Sequence, residues 1–167
     1  MPVTTELSVS EALDPEESDI PDATLIRKWA DHACLCGDED EVIVSMQIVS
    51  GDEMRELNHT WRGKDKPTNV LSFPMELPGE VGLKILGDVV LCADVINAEA
   101  RQQHKPLAAH WAHMIVHGML HLQGYDHVDD SQAEVMEALE IRILNQLGFA
   151  NPYNEDLARQ AAEQAQQ

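Results

Sequence analysis

Three histidines stand in the segment His117-Gly118-Met119-Leu120-His121-Leu122-Gln123-Gly124-Tyr125-Asp126-His127. On a helix, residues four apart lie on one face a turn apart, so His117 and His121 can present their imidazoles to a single ion. Gly124 suits a left-handed turn that brings the chain back, and His127 follows it. This H-x-x-x-H-x-x-G-x-x-H spacing offers three imidazoles and leaves one position of a tetrahedral zinc open, as catalytic sites do. His110 and His113 lie on or near the same stripe. Since a fourth and fifth ligand would close the site, they are expected behind the ligands or in packing.

The same spacing occurs in metzincin proteases, where the residue after the first histidine is the glutamate that serves as general base. Here that position is Gly118, so peptide hydrolysis loses its base. A different partner is offered by Arg62-Gly63-Lys64-Asp65-Lys66-Pro67-Thr68-Asn69-Val70-Leu71-Ser72-Phe73-Pro74. A guanidinium binds phosphate through planar, bidentate hydrogen bonds and keeps its charge. Arginine with a metal suits phosphodiester chemistry. On composition alone, such a run is more often a solvated turn.

Formal charge is −19, from 30 acidic and 11 basic residues, which argues against a polyanionic partner until its distribution is considered. Residues 1–54 hold 14 acids and 2 bases, residues 55–105 hold 7 of each, and residues 106–167 hold 9 acids and 2 bases. Contact with an anion is therefore expected from the middle third, where Arg62, Lys64 and Lys66 form the clearest basic island, with Arg55 upstream.

These side chains need elements to hold them, and 167 residues suffice for one domain with a mainly aliphatic core. An acidic start at 1–20, with a possible strand at 3–10, precedes a functional domain at 21–153 and a polar tail at 154–167 that should be frayed. A helix is expected from about Pro21 to Leu35, with Leu25, Ile26, Trp29 and Ala33 on one face. Glu41–Val49 reads as a strand, and Ser50 with Glu53 as a capping box opening a helix through Met54, Leu57 and Trp61. Strands are expected at 68–73 and 85–92, around a loop at 75–84.

A helix over 94–104 then leads to Pro106. From there to Tyr125 the chain has no Asp, Glu, Lys or Arg but four histidines, which suggests a buried helix with a polar task and not a membrane span. A last helix, capped by Asp130 or Ser131, carries Val135, Leu139, Ile143 and Leu147 until Gly148 stops it. Cys34, Cys36 and Cys92 are too few for a disulfide scaffold, and no signal segment opens the chain, so a reducing, cytoplasmic setting is expected. Cys34 and Cys36 are expected to be packing or exposed thiols.

The segments at 62–74 and 117–127 resemble the two signature segments of the YbeY family of bacterial endoribonucleases. GDVVLC at 87–92 and KPLAAHWAHMIVHG at 105–118 are similar to that family too, and the likeness covers roughly residues 22–153. The resemblance implies an α+β fold: one small mixed sheet of about four strands against about five helices, with the metal-binding helix central. It implies one zinc ion on His117, His121 and His127, with Arg62 as the functional arginine; Lys64 and Lys66, from the basic island, are expected beside it toward RNA. It further implies that Asp88 contacts a small-subunit ribosomal protein, the alternative being a structural Asp beside Gly87 in the strand. The activity implied is a metal-dependent, single-strand-specific endoribonuclease in 3′-end maturation of small-subunit ribosomal RNA and in ribosome quality control. Two rivals stay open: a metal-dependent hydrolase or protease of other specificity, and a non-catalytic ribosome-assembly factor with a structural zinc.

Overall fold

The computed structural model describes residues 3–14, 16–35, 41–75 and 83–153. β-Branched runs make strands β1 (Val3–Val9) and β2 (Glu41–Val49), separated by helix α1 (Ala23–Ala33). Helix α2 (Gly51–Arg62) follows, then strands β3 (Val70–Pro74) and β4 (Leu83–Cys92), and helices α3 (Ala93–Gln102), α4 (Leu107–Leu122) and α5 (Asp130–Gln146). The described residues thus form an α+β fold with five helices and a single sheet in the order β1-β2-β4-β3. The sheet is mixed: β1, β2 and β4 run parallel, and β3 is an antiparallel edge strand on β4.

Alternation along the strands divides the core in two. Val42, Val44, Met46 and Ile48 of β2, with Val89 and Leu91 of β4, join Ile26 and Trp29 of α1, Trp111 and Ile115 of α4, and Ile143 of α5. The opposite face places Val49, Leu71, Val90 and Cys92 under Met54 of α2. The central helix α4 is buried almost all round, from His110 to Leu122, which is why it carries no formal charge. No helix among the described residues is long and apolar enough to cross a membrane.

The capping box forms: Ser50 Oγ accepts from the Glu53 backbone N–H at 3.3 Å, and Glu53 Oε1 accepts from the Ser50 N–H at 3.0 Å. Ser10 Oγ donates to the same carboxylate oxygen at 2.6 Å, tying the end of β1 to the start of α2.

Several local expectations shift. Helix α1 begins at Ala23, with Asp22 as its cap, and Leu25 is exposed although Ile26, Trp29 and Ala33 are buried. The cap of α5 is Asp129, whose carboxylate accepts from the Gln132 N–H at 2.8 Å, in place of Asp130 or Ser131. Its buried face is Met136, Glu140, Ile143 and Leu144, leaving Val135 exposed. A period of 3.6 lets two adjacent stripes fit one apolar pattern, and packing against α4 selects between them. Trp61, in the same helix as the buried Met54, is 67% exposed. Cys34 packs against the main core and Cys92 lies in the smaller one, whereas Cys36, most of the expected 75–84 loop and the tail from 154 lie outside the described residues.

Candidate metal centre

The last two turns of α4 carry His117 and His121, and the loop after them carries His127. Gly124 adopts φ +99°, a region most side chains avoid, while its N–H bonds to the His121 carbonyl at 3.1 Å and that of Tyr125 to Leu120 at 3.1 Å. This reversal returns the exposed His127 to the helix end. Its ring centroid lies 5.6 Å from that of His117 and 5.2 Å from that of His121. One ring nitrogen from each of the three lies within 4.8 Å of the others.

Hydrogen bonds assign the tautomers. Glu140, 1% exposed, reaches from α5 between two rings of α4. Its Oε2 accepts from His113 Nε2 and, at 2.9 Å, from the Tyr153 hydroxyl; its Oε1 accepts from His117 Nδ1 at 3.0 Å. The buried Nδ1 of His113 makes no hydrogen bond, so it carries the lone pair and Nε2 the proton. With its own proton on Nδ1, His117 turns a bare Nε2 toward His121 Nε2, 3.1 Å away. Burial works to raise the Glu140 carboxyl, but the hydrogen bonds it accepts from His113 and His117 hold it well below the usual carboxylate range. Burial, then the neighbouring His117 and His127, holds His121 below the ordinary histidine value, in the form that coordinates.

The donor set fits a metal ion. A tetrahedral ion with bonds of about 2.0–2.1 Å separates its nitrogen ligands by about 3.4 Å, close to the His117–His121 spacing. A carboxylate behind the ligating imidazole, which fixes its tautomer, is a regular feature of such sites.

A cleft of about 420 Å³ opens over these rings, lined by Trp61, Arg62, Val70 to Phe73, His117, His121 and Asp126. Val70 packs on the α4 side of β3 and Phe73 on the α2 side, so the cleft wraps the outer edge of that strand. Arg62, at the end of α2, therefore shares this cleft with His117 and His121.

Lys64 and Lys66 are exposed and stand outside this lining. Arg55 is engaged by Asp65 in a bidentate pair, at 2.7 and 3.1 Å, which fastens the 63–69 segment to α2. Asp88 is half-buried in β4, opposite Ser45 on one side and Phe73 on the other. His110 and His113 stand behind the rings: His110 Nε2 donates to Glu99 at 3.0 Å, and Glu99 also accepts from Asn69 Nδ2 at 3.1 Å. Burial opposes ionisation of Glu99, but these bonds hold its carboxyl below the usual range.

Sequence reasoning passed over Glu140 and Asp126. A carboxylate on the apolar stripe of α5 was the available signal for Glu140, and adjacency to His127 the signal for Asp126. Gly118 also gains a reason. A Cβ there would lie 2.8 Å from Val89 Cγ1 and 3.3 Å from Val70 Cγ2, because this face of α4 rests on the sheet. A glutamate has no room at that position.

Three imidazoles that could hold one ion, two of them in a cleft that Arg62 also lines, fit a metal-assisted hydrolase. Residues 14–148 match the family described as Endoribonuclease YbeY. An Endoribonuclease YbeY of Cellvibrio japonicus (strain Ueda107) is 53% identical over 136 residues, covering 81% of this chain and 77% of that one. The solution structure of TM1509 from Thermotoga maritima shares the fold, with a TM-score of 0.54 at 23% identity over 86% of this chain and 91% of that one. The chain belongs to the YbeY endoribonuclease family, whose members are enzymes that cut RNA internally.

Proposed function

We propose that this protein is a zinc-dependent endoribonuclease, specific for single strands, acting in the cytoplasm in 3′-end maturation of small-subunit ribosomal RNA and in ribosome quality control. The observation that carries the reading is that Arg62 lines the same cleft as His117 and His121. His117, His121 and His127 would hold the ion. When bound there, zinc supplies Lewis acidity toward a phosphoryl oxygen and toward water.

The chain's own groups do the rest. Arg62 grips the scissile phosphate through its fork and stabilises charge growing on the phosphoryl oxygens, a contribution of about 3 kcal/mol for one such donor. Glu140 keeps the His117 proton on Nδ1 and so leaves Nε2 to the cleft. Lys64 and Lys66 contact the strand outside the cleft. With a net charge of −19, the protein attracts free RNA weakly. Docking of the Asp88 region on a small-subunit ribosomal protein, an assignment supported by the resemblance of the Gly87-Asp88 segment, would raise the local RNA concentration.

Metal analysis with end-group analysis of cleaved RNA tests this reading. The protein should carry one zinc per chain, lose RNA cleavage to a chelator and regain it with zinc, and leave casein intact. His121→Ala should lose metal and cleavage but keep its fold, since α4 packs through its other faces. A 2′,3′-cyclic phosphate would show attack by the RNA 2′-hydroxyl, and a 5′-phosphate attack by water. A chelated protein that unfolds, together with an intact one that never cuts RNA, would favour the structural zinc.

A further inference from the structure

Trp61 is 67% exposed, in a chain whose Trp29 and Trp111 are buried. It precedes Arg62 in the last turn of α2 and meets Phe73 of β3 edge to face, with ring centroids 5.9 Å apart and planes at 64°. Both rings line the cleft that holds Arg62, His117 and His121. Burying an indole is favourable, so a large apolar ring left in water at a cleft wall marks a contact surface.

We propose that Trp61, held by Phe73, forms a nucleobase subsite that stacks an unpaired RNA base next to the phosphate gripped by Arg62. The inference rests on the endoribonuclease reading of the same cleft and adds a recognition element to it. Two observations favour a base as the occupant. The ring adjoins the phosphate-binding arginine in sequence and in the cleft, as base adjoins phosphate in a strand. The protein is strongly acidic, and Arg62 is the only Lys or Arg in the cleft lining among the described residues, so ionic contacts within the cleft supply little affinity. Stacking on an aromatic ring supplies affinity that does not depend on phosphate charge, and every base has a face to offer. A paired base has its faces covered by its neighbours, so this subsite discriminates against duplex without reading sequence.

The test uses the full chain with chelator present to prevent cleavage, and a short fluorescein-labelled RNA with or without its complement. Binding of the single strand should quench the exposed indole. Trp61→Ala should weaken single-strand binding about tenfold or more, the range of one stacked base, while Trp61→Phe stays within a few-fold of wild type. The slope of affinity against salt should stay unchanged, because no phosphate contact is lost, and so should duplex binding and melting temperature. In the metal-loaded enzyme the same loss should appear in KM more than in kcat. Wild-type single-strand affinity in Trp61→Ala, or an equal loss for duplex, would overturn the proposal and leave Trp61 as a surface for another protein. If wild-type protein neither binds nor cuts RNA, the endoribonuclease reading itself fails; if Arg62→Glu weakens binding while Trp61→Ala does not, the base subsite alone is wrong.

Discussion

Glu140 Oε1 accepts a hydrogen bond from His117 Nδ1 at 3.0 Å, and that bond decides which nitrogen of His117 faces the cleft. Glu140→Gln keeps the shape but loses the charge and can offer its amide N–H where an acceptor is needed. Metal affinity should fall about 10- to 100-fold, read by competition with a calibrated chelator, with the circular dichroism of the folded chain retained. Glu140→Ala should in addition lower the melting temperature, since His113, His117 and Tyr153 lose their acceptor and each unsatisfied buried group costs about 1–3 kcal/mol. Unchanged metal affinity in the Gln variant would show that packing alone orients His117.

Arg62 separates phosphodiester cleavage from other metal-assisted hydrolysis. Arg62→Lys keeps a positive charge without the bidentate fork, and Arg62→Glu reverses the charge. Both should hold wild-type metal content and melting temperature, while single-strand cleavage falls by roughly one to two orders of magnitude for Lys and further for Glu. A Glu variant that cuts at the wild-type rate would mean that the guanidinium does not face the phosphate.

Gly118 tests why the protease glutamate is missing. Even Gly118→Ala brings a methyl group to 2.8 Å from Val89 Cγ1, so α4 must shift off the sheet at a cost of about 1–3 kcal/mol. For a domain of this size that is a drop of about 2–4 °C in Tm per kcal/mol. Gly118→Glu should destabilise more and confer no casein hydrolysis. A Glu variant as stable as wild type would show that the helix is not seated as described.

Glu53 gives a pH signature. The Ser10 hydroxyl first, and then the Ser50 N–H and hydroxyl, hold its carboxyl below 4.5 against the opposing effect of burial. A folded value below the unfolded one contributes stability above the ordinary pKa and loses it as pH falls through the folded value. Glu53→Ala should therefore be less stable than wild type by about 1 kcal/mol at pH 7, with the difference shrinking below pH 4.5. Urea melts at both pH values measure it; a gap that stays constant would place the loss in packing.

Much of the site could be read from sequence because it is local. The helix, the turn and the return at 117–127 follow from spacing and one glycine, and the capping box at Ser50 and Glu53 formed as the pattern indicated. What escaped was what the sheet brings together. Glu140 reaches His117 from a different helix, and nothing in the spacing of either says that they touch. Trp61 matched an apolar helical stripe yet stands in water, because α2 covers only the small core under Met54 and that core does not extend to its last turn. Strand order was invisible for the same reason: register and neighbour depend on packing between segments far apart in the chain.

All three imidazoles come from residues 117–127, whereas Arg62 reaches them only through β3 and the sheet. An unfolded chain keeps that short spacing, so the denatured ensemble can itself chelate the ion, and a ligand held by both ends of an equilibrium shifts it little. On the proposed zinc reading, added zinc should therefore raise the unfolding midpoint by much less than its affinity for the native protein suggests, and a chain emerging from synthesis could load the ion before the sheet has closed. Competence to cut would arrive later, with the last long-range contact, so metal content by itself is a poor assay of correct folding for this enzyme.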